Sequence, residues 1–194
     1  MNVPQTALGR GGRSRQHTVV RLDGRRETVE LGGNLTYSTE HLQEASSVEQ
    51  IKTYLRAQKK VKVLGTRHCF NSLADSKYNL LSLKPMHEVV AVDAAARTVT
   101  VDAGITYGQL GPYLDGKGFA LHNLASLPHI SIAGACSTGT HGSGEKVGNL
   151  STAVAALELV TAGGDVVKLS RKADGDAFRG AVVGLGARWA SSRG

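Results

Sequence analysis

Aromatic side chains are scarce in this chain: Phe, Trp and Tyr make up 5% of its 194 residues, with a single Trp. Nucleic-acid surfaces interleave aromatics with basic residues, and no such pattern is present. Cysteine is scarcer still. Cys69 and Cys136 form no disulfide framework and have no metal-type spacing to a partner, so a reducing, cytoplasmic location is expected and no metal site. No apolar run approaches the ~18 residues of a membrane span, and no N-terminal segment resembles a signal peptide. Charge of one sign is in excess, at +7, but it sits at the ends. Residues 1–30 hold six arginines against Asp23, Glu27 and Glu30, and Arg188 and Arg193 lie in the last eight residues, leaving +2 for residues 31–186. Basic ends are solvated tails as readily as phosphate binders, and no nucleic-acid partner is expected. The length suffices to bury a real core in one domain, or a domain plus a fragment.

What is abundant is glycine, 24 residues in all, and two stretches concentrate its use. Val63–Asp75 reads VLGTRHCFNSLAD, an apolar strand that turns at Gly65 and presents Arg67, His68, Cys69 and Asn71. Ala125–Gly144 reads ASLPHISIAGACSTGTHGSG, small residues and hydroxyls with Gly134, Gly139, Gly142 and Gly144 spaced along it. Small residues let backbone approach a ligand closely, and successive N–H groups in such turns make concave anion sites. Two such loops could hold a diphosphate between them, with a histidine facing another part of the same ligand. Glycine-rich turns also occur between elements without any ligand.

Periodicity places the elements. Residues 1–30 read as a basic, disordered leader, although Asp23-Gly24 could turn a small hairpin within HTVVRLDGRRETVEL. Val48, Ile51 and Leu55 predict a helix over 47–58, with Ser47 as N-cap and Gln50 three residues on. Strands are expected at 61–64, 78–82, 89–92 and 98–101, the last two joined by a turn at Asp93–Arg97. A helix is expected over 106–116, a hairpin over 153–169 around Ala162–Asp165, and another helix over 176–183. Alternating helices and strands make the fold α+β or α/β.

Several chemistries fail on spacing. Neither loop is a GxGxxG within a βαβ unit or a Walker A loop. His122, His129 and His141 cluster about the second loop, but no HExxH or carboxylate pattern supports zinc, and His141 is as readily a brace for the loop backbone. Ser126 is not in a nucleophile elbow, which argues against a hydrolase.

Both loops together, in this order, resemble the FAD-binding domain of the vanillyl-alcohol oxidase superfamily, the PCMH-type flavoproteins. Within it the chain is most similar to the alditol (xylitol) oxidases and their aldonolactone oxidase relatives. The matching segments are NLTY at 34–37, VLGTRHCFN at 63–71, DAGITYGQL at 102–110, LASLPHISIAGACSTGTHGSG at 124–144 and ALELVTAGG at 156–164. The resemblance implies an α+β, PCMH-type domain of two α/β subdomains over residues 31–186, its last strands and the cap domain missing. It implies that Gly65, Thr66, Arg67, His68, Cys69, Phe70 and Asn71 wrap the FAD diphosphate, with His68 bonded covalently to the flavin 8α-methyl. A neutral imidazole nitrogen is nucleophilic and that methyl carbon is electron-poor. Cys69 stands where relatives often have Ser and not where doubly linked members keep their second, cysteinyl bond, so a single linkage is implied. Ser131, Gly134, Ser137, Thr138, Gly139, Thr140, His141 and Gly142 are implied to contact the ribityl and diphosphate, and Ser126 the substrate polyol. Ala125 sits where a small residue shapes oxygen access in some relatives. The implied reaction is oxidation of a sugar alcohol, or alternatively of an aldonolactone (D-arabinono-1,4-lactone or L-gulonolactone). Hydride passes to the flavin and then O₂ yields H₂O₂. The remaining catalytic groups are expected in the cap.

The end of the chain departs from the family. Relatives read LGALGVVTR where this chain reads LGARWASSRG. In a GC-rich coding text, one extra GC dinucleotide converts the former into the latter. Residues 187–194 are therefore expected to be a frameshifted tail. The function alternatives then include an inactive flavin-binding fragment or one half of a split enzyme.

Overall fold

A computed structural model describes residues 33–185, together with the backbone of two short strands, β1 (Val19–Val20) and β2 (Arg26–Glu27). These pair antiparallel, as a hairpin would; the Asp23-Gly24 turn and the tail at 187–194 lie outside the described residues.

Two units follow, as the α+β expectation requires. The first is a parallel three-stranded sheet in the order β3 (Leu42–Glu44), β5 (Asn79–Ser82), β4 (Val61–Leu64). Helix α1 (Val48–Ala57) crosses between β3 and β4 and buries Ile51 and Leu55 against Ala45, Val61 and Leu81. Its start is as expected at Ser47, whose hydroxyl accepts from the Gln50 N–H at 3.3 Å. The Gln50 side chain reaches one residue further back than a capping box would, accepting from the Ser46 N–H at 2.8 Å. Strand β3 lacks alternating apolar residues and has no sequence signal. Pairing with β5 makes it a strand: His41 O accepts from the Leu80 N–H at 2.8 Å, and Ser82 O from the Ala45 N–H at 3.0 Å.

The second unit is built from antiparallel hairpins, β6 (Val89–Asp93) with β7 (Thr98–Val101), and β8 (Ala156–Val160) with β9 (Val166–Ser170). The second hairpin begins three residues later than its composition suggests, because Leu150–Ala153 forms a 3₁₀ turn. Helix α2 (Tyr107–Asp115) packs Leu110 and Leu114 with Ile105 beside Val89, Val99 and Val101. Helix α4 (Gly175–Val182) buries Phe178 completely, with the Arg171 guanidinium 5.2 Å from its ring. The units are tied by Arg56 of α1, whose guanidinium donates to the carbonyls of Gly163 and Gly164 in the β8–β9 turn.

One element contradicts the reading of the second glycine stretch as loop throughout. Residues Ile132–Ser137 form a short helix, α3. Its composition hid it: glycine and serine read as loop, while Ala133 and Ala135 supply helix propensity.

Candidate functional site

The first loop leaves β4 at Gly65 and returns through a 3₁₀ turn at Ser72–Ala74, capped by Asn71, whose side-chain oxygen accepts from the Leu73 N–H at 2.9 Å. From beneath it is braced by the NLTY segment: Tyr37 is buried with Leu64 and Leu80, and a small cavity lined by Leu35, Thr36, Cys69 and Asp75 separates the two. The Ser38 N–H and hydroxyl both donate to the Asp75 carboxylate. Burial would raise the Asp75 pKa, but these bonds, the Ser76 N–H and Lys62 outweigh it and hold it below the ordinary value. Cys69 is turned inward, its thiol 3.2 Å from Asn71 Oδ1.

The second loop is hung from helix α2. The four N–H groups that open a helix have no partner inside it. Here the Tyr107 N–H donates to Ile130 O at 3.2 Å and the Gly108 N–H to Pro128 O at 2.7 Å. Gly108 is required at this crossing, since a Cβ would lie 2.9 Å from Pro128 O. Behind the loop, Tyr107 packs with Ala135, Cys136 and Leu150. Burial pushes the Tyr107 phenol well above its ordinary pKa, with the adjoining Cys136 thiol adding to the rise. Burial also raises the Cys136 thiol, offset in part by the hydrogen bond from Tyr107.

The two loops meet at Ser131. Its N–H donates to Thr66 Oγ1 at 3.4 Å, and its hydroxyl lies 3.4 Å from where a Cβ on Gly65 would stand and 2.8 Å from one on Gly134. Side chains at those two positions would fill the space where the strands of backbone converge. Beside this junction stands His68, half-buried, in edge-to-face contact with Phe70 at 4.7 Å and with His129 at 5.8 Å. His68 Nδ1 is buried and has no hydrogen-bond partner, which is uncommon for a buried polar atom.

The remaining site residues divide by what their atoms already do. Gly139 (φ 63°) terminates α3: its N–H donates to Cys136 O and the Thr140 N–H to Ala135 O, a Schellman arrangement that itself calls for glycine. The hydroxyls of Ser137 and Thr138 fold back on carbonyls of α3, those of Ala133 and Gly134. His141 Nδ1 lies 3.2 Å from Gly142 O, a contact that braces the loop. Ser126 and Gly142 are exposed, and Ala125 packs against the Tyr107 cluster. Arg67 holds a left-handed backbone at φ 61°. His129 is the site residue that spacing did not single out; it was visible only as one of three histidines about the second loop. Among the described residues no three His, Cys, Asp or Glu side chains are grouped to hold a metal.

Comparison with known proteins defines the class. The family described as FAD binding domain matches residues 40–170, more than half of the chain, and the chain belongs to that family. The relatives it matches include oxidases and dehydrogenases. It is 40% identical over 159 residues to alditol oxidase from Streptomyces sp., covering 80% of this chain and 38% of that protein. Against L-gulonolactone oxidase from Bos taurus it is 36% identical over 145 residues, covering 73% and 33%. Among solved structures, 6-hydroxy-D-nicotine oxidase from Arthrobacter nicotinovorans superimposes with a TM-score of 0.62 at 22% identity, over 75% of this chain and 32% of that one. The carbohydrate oxidase from Microdochium nivale gives 0.63 at 19% identity, with the same coverage. The fold is thus the PCMH-type FAD-binding fold, and the chain spans about a third of the length of these proteins. No helix among the described residues is long and apolar enough to cross a membrane.

Proposed function

We propose that this chain is the FAD-binding part of an oxidase of sugar alcohols of the alditol oxidase type, with FAD bonded covalently through His68. The observation that carries the reading is the junction of the two glycine loops at Ser131, with the unpartnered His68 Nδ1 beside it. The residues present fit the cofactor. Gly65 and Gly134 leave the junction open to close approach of a ligand, and an imidazole nitrogen without a hydrogen-bond partner is available to form a bond. Residues Gly65–Asn71 would enclose the diphosphate together with Ser131–Gly142. Within the second stretch the Gly142 N–H is better placed to contribute than the Ser137 and Thr138 hydroxyls or the Thr140 backbone, which are already bonded. FAD, when bound, accepts a hydride from the substrate carbon and delivers the electrons to O₂. This chain's own part is to hold and orient it. The exposed Ser126 hydroxyl is available to a polyol.

Two tests bear on this. With FAD bound, the protein should keep its yellow colour through acid precipitation, and His68→Ala should release all of its flavin; release by the unaltered protein would refute covalent attachment. When the gene is read onward in the alternative frame past Gly186, the product should form H₂O₂ from xylitol or sorbitol. Ser126→Ala should then weaken turnover mainly through KM, by the ~1 kcal/mol of one hydrogen bond. Turnover of aldonolactones alone would favour the lactone oxidase reading, supported by the L-gulonolactone oxidase likeness. A frame with no cap domain, and no H₂O₂ from either substrate class, would leave a flavin-binding fragment or one half of a split enzyme.

A further inference from the structure

The His68 imidazole is held between two rings. Phe70, two residues along the same loop, meets it at 4.7 Å and 71°, and His129, from the second loop, at 5.8 Å and 77°. No hydrogen bond fixes Nδ1, so packing is what sets the angle of the ring about its side-chain torsions. Phe70 is 58% exposed and travels with the loop. His129 is exposed as well, but its backbone has the firmer foundation, because its neighbours Pro128 and Ile130 are bonded through their carbonyls to the first N–H groups of α2. A chain of contacts therefore runs from helix α2 through the Pro128–Ile130 backbone to the His129 ring, and from that ring to His68.

We propose that His129 is a positioning residue for formation of the covalent bond between His68 and the cofactor. The inference rests on the attachment reading above and adds the residue that orients the attacking imidazole. Bond formation replaces one C–H of the flavin methyl group and one imidazole N–H by a C–N bond. Two protons pass to solvent, and two electrons pass to the ring system, from which O₂ takes them to give H₂O₂. The reacting nitrogen must lie in line with that carbon, and misplacement by about 1 Å can slow such a step about a hundredfold. A ring in edge-to-face contact restrains that placement without consuming either imidazole nitrogen.

The test is the rate of covalent flavin incorporation when excess FAD is added to the cofactor-free chain, read as flavin fluorescence in a denaturing gel. Non-covalent binding is measured in parallel by fluorescence quenching. Exchanging His129→Ala is expected to slow incorporation by about tenfold or more while changing FAD affinity by less than about twofold. His129→Phe, which keeps a ring in place, is expected to stay within about threefold of the unaltered chain. Incorporation by the Ala variant at the unaltered rate would overturn the proposal, and so would a Phe variant as slow as the Ala variant while both bind FAD. If the unaltered chain binds FAD and never bonds to it, the attachment reading fails and this inference falls with it. The unaltered lane therefore tells the two failures apart.

Discussion

Three residues other than glycine hold a left-handed backbone among the described residues: Arg67 at φ 61°, Arg97 at φ 52° and Leu185 at φ 51°. An L-residue pays roughly 1–2 kcal/mol for that conformation. Arg97 closes the β6–β7 turn, where Asp93 accepts from the Ala96 N–H at 2.9 Å, and its own side chain is exposed. Arg97→Gly is therefore expected to stabilise the fold by about 0.5–1 kcal/mol, strain relief exceeding the added freedom of the unfolded chain. A thermal unfolding midpoint unchanged or lowered would contradict this. Arg67 holds the same conformation between Thr66 and His68, inside the site, where strain is tolerated because surrounding structure over-determines it.

Among the helices, two glycines separate a structural need from a mere weakness. Gly108 sits in the first turn of α2, and a Cβ there would lie 2.9 Å from Pro128 O and 3.0 Å from Pro128 Cβ. Relief requires the loop carrying His129 to move. Gly180, in α4, has nothing within 4 Å of a Cβ. Gly180→Ala should stabilise by about 1 kcal/mol through helix propensity alone. Gly108→Ala should destabilise by roughly 1–3 kcal/mol despite the same propensity gain, and should weaken FAD binding as well. Chemical denaturation of the two variants side by side, with FAD titrations, decides the matter: a Gly108→Ala variant as stable as its parent would show that α2 does not hold the loop.

For the molecule as a whole, stability should fall on the alkaline side. Cys136 and Tyr107 both have pKa values raised above their ordinary 9.0 and 10.0 by burial, so the folded state keeps protons that the unfolded chain gives up. Their contribution is complete below about pH 9 and is lost as pH rises through the thiol and then the phenol range. Urea unfolding at about pH 8 and about pH 10.5 should show that loss, and Cys136→Ala should flatten the slope whatever its effect on the absolute value. An identical slope in the variant would remove the thiol from the account. Asp75 acts at the other end, its depressed pKa stabilising the NLTY segment at neutral pH and ceasing to do so as pH falls below the carboxylate range.

Local signals were legible in the chain because they depend on neighbours a few residues away. The Ser47 cap, the apolar spacing of α1, the Asp93–Arg97 turn and the two glycine stretches all appear in the structure within a residue or two of where periodicity puts them. Strand β3 was not legible, since its partner lies some forty positions on and supplies the hydrogen bonds that make it a strand. Helix α3 was not either, because alanine and glycine together satisfy loop and helix rules alike until the Gly139 terminus is seen to close it. In the site, the motif marks His68, but nothing in the order of residues says that its Nδ1 is left without a partner or that His129 stands beside it. Those facts come from folding two loops, some sixty positions apart, onto the same serine, Ser131. Residue types and their spacing set the chemistry available to this chain; the packing of one loop on the other sets which atoms are free to perform it.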